Sequence, residues 1–123
     1  DWYQEAFGGQ APPKSPRWRI EHAQIVSAQD LPRFAKLGVI ASMQPSHAIG
    51  DLYFAPKRLG EARLNEGYAW NSLLRSGAVV TGGTDAPVEK GDPLIEFYAA
   101  GYRHALNGFA GADWGLEEAV SRA

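Results

Sequence analysis

The apolar positions of this chain follow two rhythms. Three short runs, residues 18–23, 39–43 and 78–83, concentrate Trp18, Ile20, Val39, Ile40, Val79 and Val80 in the dense form expected of sheet strands. In the first run, alternation sets Trp18, Ile20 and His22 on one face and Arg19, Glu21 and Ala23 on the other. Between the runs the spacing changes to three and four. Leu31, Phe34, Ala35 and Leu37 form one stripe, and Leu59, Ala62, Ala69, Trp70, Leu73 and Leu74 a second. Leu94, Phe97, Tyr98, Gly101, Tyr102 and Ala105 form a third. The punctuation agrees. Ser27 with Asp30 is close to a capping box, Pro32 falls in the first turns, and Gly38 ends that helix. Gly60 and Gly67 break the second stripe and Gly77 ends it; Pro93 opens the third and Gly108 stops it. Residues 1–7 read as the end of a helix stopped at Gly8-Gly9, and 10–16 as a proline-bearing loop. Residues 46–56 read as a loop with Tyr53 and Phe54 exposed, and 116–123 as a last helix with Glu117 and Glu118 in its first turn.

Apolar strands that alternate with helices predict a parallel sheet covered by helices. Right-handed crossovers then gather the C-terminal strand ends at one edge, where α/β enzymes place their chemistry. The third run leaves that edge through Thr81-Gly82-Gly83-Thr84-Asp85-Ala86-Pro87, and the first two reach His22 and His47. Asp85 can bind a metal and take a proton from water whose pKa the metal lowers to about 7; an acid after glycines also suits a plain turn. His22 fits a metal ligand, a general base or a satisfied histidine. His47 fits a substrate contact, a proton shuttle or a polar loop residue. Asp51 reads as a loop or capping acid, and His104 as an exposed helix residue. Tyr68, Trp70, Tyr98 and Tyr102 read as packing aromatics. Glu21 is expected to pair with Arg17 or Arg19.

With 123 residues there is room for one domain. A net charge of −2 gives no electrostatic reason for nucleic acid or an anionic membrane as partner. With no cysteine, any metal must be held by histidine and carboxylate. No apolar run approaches the ~20 residues of a membrane span. No phosphate-loop motif is present, which counts against a third reading, an α/β enzyme with Asp85 as nucleophile. The expected location is cytoplasmic. Three parallel strands alone would expose long unpaired edges, and a complete (β/α)8 barrel needs roughly 200 residues or more. The expected fold is therefore α/β, a partial (β/α)8 TIM barrel of about three β/α units. Residues 1–123 form a single segment, with 1–16 as the end of a preceding helix plus a loop.

Three segments carry a family resemblance. Arg19-Ile20-Glu21-His22-Ala23-Gln24, Ser42-Met43-Gln44-Pro45-Ser46-His47-Ala48 and Gly83-Thr84-Asp85-Ala86-Pro87 resemble, in order and interval, the sixth, seventh and eighth strands of the metal-dependent amidohydrolase superfamily, amidohydrolase-3 branch. The resemblance runs from about Arg17 onward and implies the C-terminal part of the barrel, strands 6–8. It implies that His22 and Asp85 are metal ligands. Asp85 would also be the catalytic residue, general base on the hydrolytic water and proton donor to the leaving nitrogen. His47 and Gln44 would line the substrate pocket. It further implies a divalent metal, zinc first, although other divalent ions fit, and a small amide-like substrate. The family's first-strand His-x-His pair, fourth-strand bridging ligand, fifth-strand histidine and small β-sandwich have no counterpart in this sequence. Two functions are therefore expected. One is a metal-dependent hydrolase of amide-like C–N bonds, represented by a barrel fragment inactive alone and completed by a missing N-terminal part or a homo-oligomer. The other is a non-catalytic, self-associating α/β module with a degenerate site.

Overall fold

The structure is a computed structural model that describes residues 2–9 and 17–121. Helix α1 (Trp2–Ala6) is stopped by Gly8 and Gly9, both at positive φ. The loop expected over 10–16 lies outside the described residues. Strand β1 (Arg19–Ile20) is followed by α2 (Leu31–Leu37), β2 (Ile40–Met43), α3 (Pro45–Asp51) and α4 (Ala55–Leu59). A 3-10 stretch (Glu61–Glu66) leads to α5 (Trp70–Arg75), β3 (Val80–Gly82) and α6 (Pro93–Tyr102). Two 3-10 turns, Gly111–Asp113 and Leu116–Glu118, complete the described chain.

The strands form one sheet, parallel as the alternating pattern predicts, in the order β1-β2-β3. Arg19 faces Ile40 in one ladder, and Ala41, Ser42 and Met43 face Val80, Thr81 and Gly82 in the other. Only the central strand is buried: Ala41 and Met43 are sealed, whereas Arg19, Ile20 and Val79 are exposed. The margins are wet because an open sheet covers its centre and leaves its outer strands to solvent. The expected long edges are also short. β1 spans two residues and β3 three, which limits the unpaired backbone at each margin.

Several helical expectations hold in shortened form. α2 carries its proline in the first turn and ends at Gly38 in the left-handed region, φ 65°. Ser27 donates to the Asp30 carboxylate rather than to backbone, and Asp30 also pairs with Arg33 at 2.6 Å. These two contacts, Arg33 first, hold the Asp30 carboxyl below its usual range. The segment 46–56, expected as loop, is helical over α3. Its Ala48, Ile49 and Leu52 enter the core, while Tyr53 and Phe54 are exposed as expected. The third stripe stops at Tyr102, because Arg103 turns left-handed, and Leu94, Phe97 and Tyr102 lie in solvent. Residues 116–118 form a 3-10 turn and not the expected helix.

Two helices are capped from a distance. Neither α3 nor α5 has a side-chain cap of its own. Glu96 on α6 accepts from the Ser46 N–H at 2.9 Å, and Glu118 accepts from the Ser72 N–H at 2.8 Å and from the Ser72 hydroxyl. Each carboxylate meets N–H groups that would otherwise lack partners, at the positive end of the helix dipole.

The other organising group is Arg103, fully buried among Tyr68, Trp70 and Trp114. Its guanidinium lies 4.4 Å from the Trp70 ring and donates to the Tyr68 carbonyl at 3.2 Å. Burial pushes it down to about 10, opposed by Glu118 and Glu117, so it is a cation at neutral pH. Tyr68 joins distant parts of the chain. Its hydroxyl donates to Asp51 at 2.6 Å and accepts from Gln24 at 2.8 Å. Asp51, expected as a loop or capping acid, is thus the acceptor for a buried phenol.

Candidate metal centre

The three strands deliver their following residues to one edge. After Ile20 the chain bends, and His22 and Ala23 take left-handed φ values of 68° and 36°. His22 therefore lies beyond the strand, and the strand alternation does not set its direction. After Met43, Gln44 is extended and begins α3, so His47 stands on the first turn of that helix and not in a loop. After Gly82, the Gly83 N–H continues the ladder to Met43 at 3.0 Å, and Asp85 follows with φ 55°. The turn closes with Val88 N–H donating to the Asp85 carbonyl at 2.8 Å and contains a cis Ala86–Pro87 bond. Left-handed non-glycine residues are uncommon and gather at functional sites.

One potential ligand atom from each of His22, His47 and Asp85 lies within 4.8 Å of the others. The two imidazoles stack, with centroids 5.9 Å apart and planes 19° from parallel. Gln44, buried, places its amide oxygen 2.9 Å from His22 Nδ1. An oxygen acceptor there requires Nδ1–H to donate, which leaves the Nε2 lone pair for another ligand. His47 Nε2 is buried and makes no hydrogen bond among the described residues. It sits between two carboxylates, 3.8 Å from Asp85 Oδ2 and 3.7 Å from Glu89 Oε1. The Asp85 side chain is about a third exposed (35%), so the cluster opens to solvent on that side.

The structure thus brings together His22, His47, Gln44 and Asp85, the four residues singled out in the sequence. It keeps Glu21 apart: that carboxylate pairs with Arg19 at 2.7 Å, and the Ser42 hydroxyl, then Arg19, holds it below the usual range. His104 is away from the cluster as well. It lies past α6 rather than on it, half-buried, with Nε2 3.8 Å from Asp113. Sequence reasoning missed Glu89. Its only signal is an acid four residues past Asp85.

A sequence model described as the amidohydrolase family matches residues 3–122. The chain belongs to the amidohydrolase family. It is 35% identical over 101 residues to YtcJ of Bacillus subtilis (strain 168), whose name assigns it provisionally to the amidohydrolases. That match takes in 79% of this chain and 19% of YtcJ. It is 40% identical over 79 residues to the protein LONG AFTER FAR-RED 3 of Arabidopsis thaliana, covering 63% of this chain and 14% of that one. Two crystal structures of uncharacterized metal-dependent hydrolases share the fold. The one from Pyrococcus horikoshii OT3 has a TM-score of 0.76 at 29% identity, over 95% of this chain and 22% of its own. The one from Pyrococcus furiosus has a TM-score of 0.69 at 33% identity, over 85% of this chain and 20% of its own. The chain thus spans about a fifth or less of the length of these relatives.

Proposed function

We propose that this chain supplies one side of the catalytic centre of a metal-dependent hydrolase that cleaves amide-like C–N bonds in small molecules. The observation that carries the reading is the meeting of His22, His47 and Asp85 at one sheet edge, with ligand atoms within 4.8 Å of one another. The donor set suits a divalent ion, zinc before others: two imidazole nitrogens and a carboxylate, leaving a coordination position for substrate. The buried, unpartnered His47 Nε2 is the kind of nitrogen such an ion would satisfy. When bound, the ion would supply Lewis acidity at the scissile carbonyl and make water reactive near neutral pH.

The rest of the chemistry belongs to the chain itself. Asp85 takes the proton of the attacking water and returns it to the leaving nitrogen. Gln44 is a positioning residue, because its oxygen is committed to His22. His47 contributes a third ligand or a substrate contact.

Zinc titration of the full chain by calorimetry at neutral pH tests the site. His22→Ala should abolish binding. Gln44→Leu should weaken it about 10- to 100-fold, the usual effect of removing the partner of a ligating histidine. Zinc affinity unaltered in His22→Ala would refute the site. A second reading, the self-associating module with a degenerate site, draws support from apolar side chains left in water: Phe97 is 77% exposed, Leu94 72% and Val88 69%. That module would sediment as a folded oligomer that takes up no zinc.

A further inference from the structure

A cavity of about 320 Å³ lies beside the histidine–aspartate cluster, between α3, the loop entering α6 and the segment after α6. Its volume is at the lower end of small-molecule sites. Ile49, Tyr53, Ile95 and Leu106 give it apolar walls, and Glu89 is a polar lining residue that also contacts the cluster. Ser46 precedes His47 in the chain, and Glu89 Oε1 is 3.7 Å from His47 Nε2, so cavity and cluster share a wall. The Ser46 hydroxyl is buried and makes no hydrogen bond among the described residues.

The charges around the cavity are lopsided. Glu89, Asp92 and Glu96 contribute three carboxylates against the ammonium of Lys90. Asp92 accepts from the Leu94 N–H and Glu96 from the Ser46 N–H, so both have structural work as helix caps. Among the described residues Glu89 has no such backbone partner. Apolar walls with a carboxylate not committed to a helix cap fit a ligand with an apolar body and an N–H-bearing head. The same walls repel a ligand that ends in a carboxylate.

We infer that this cavity binds the amine-side portion of the substrate, an alkyl- or arylamine unit, with Glu89 as its recognition group. The inference rests on the hydrolase reading for the word substrate, but its test needs neither metal nor turnover. Titrate the full chain with benzylamine, and separately with benzoate, following backbone amides by NMR. Benzylamine should shift Ser46, Glu89 and Leu106 saturably, in the millimolar range, and benzoate should not. Glu89→Gln should weaken benzylamine at least about fivefold, because a neutral amide replaces the carboxylate at constant shape.

Gly50→Leu supplies a variant that keeps the fold. Gly50 lines the cavity from α3, and an added Cβ there meets nothing within 4 Å. The leucine side chain should fill the mouth and abolish the shifts. Benzoate binding as tightly as benzylamine, absence of saturable shifts, or unchanged affinity in Glu89→Gln would overturn the proposal. Zinc affinity is read in a separate titration, so failure of the amine site and failure of the metal site are distinguishable.

Discussion

Asp85→Asn should lower hydrolytic turnover of the full-length protein by roughly 10²- to 10⁴-fold, the range that a positioned acid–base group contributes. The substitution isolates the chemistry from the fold. Asp85 sits at φ 55°, and asparagine is among the few residues that tolerate that region. The backbone carbonyl that closes the turn to Val88 is untouched. The side chain is about a third exposed (35%), so an amide in its place leaves no buried charge behind. The melting temperature should therefore stay within a few degrees of the parent. Steady-state kinetics and a thermal melt on the same preparation check both halves. Near-parental kcat in a folded Asp85→Asn protein would remove Asp85 from the proton transfers. Asp85→Ala is a poorer probe, since alanine resists the left-handed turn and mixes a folding cost into the rate.

The largest stability loss is expected from Gly115→Ala. Gly115 has φ 74°, where alanine costs about 1–2 kcal/mol. An added Cβ would also run into the Arg103 guanidinium, meeting Cζ at 3.0 Å and Nε at 3.4 Å. Arg103 has nowhere to retreat, because Tyr68, Trp70 and Trp114 surround it. Displacing a buried cation from its partners costs roughly 3–5 kcal/mol, a large fraction of the ~5–15 kcal/mol that holds a domain together. The melting temperature should fall by more than about 10 °C. Arg103→Lys should be nearly as damaging, since an ammonium lacks the planar face that stacks on Trp70. Differential scanning calorimetry decides the matter. A shift under about 2 °C for Gly115→Ala would mean that the guanidinium is not closed in from that side.

The two predictions differ in how readily the sequence discloses them. Asp85 announces itself by its neighbours: an apolar run before it, two glycines and a proline around it. Gly115 and Arg103 do not. Arg103 follows Tyr102 and precedes His104, a context that reads as a solvated helix face. It is buried because three aromatic rings, from positions 35, 33 and 11 residues away, close over it. Hydrophobic periodicity reports what one element does to its own faces. It carries no signal for a cation buried against aromatics from other segments.

The sequence by itself determined the parallel α/β alternation, a second strand over 39–43, the helix stop at Gly38 and the edge to which His22, His47 and Asp85 are delivered. Those features rest on short-range causes: alternation, three-four spacing, and the backbone limits of glycine and proline. Tertiary structure alone decided the rest. It made 45–51 a helix, although its small and polar residues look like a loop, because Glu96, 50 residues from Ser46, caps its start. It set the tautomer of His22 through Gln44, 22 residues away. It placed Glu89 against His47. Each of these is a contact between groups that no local pattern links, formed only when the chain closes on itself and buried polar groups must find partners.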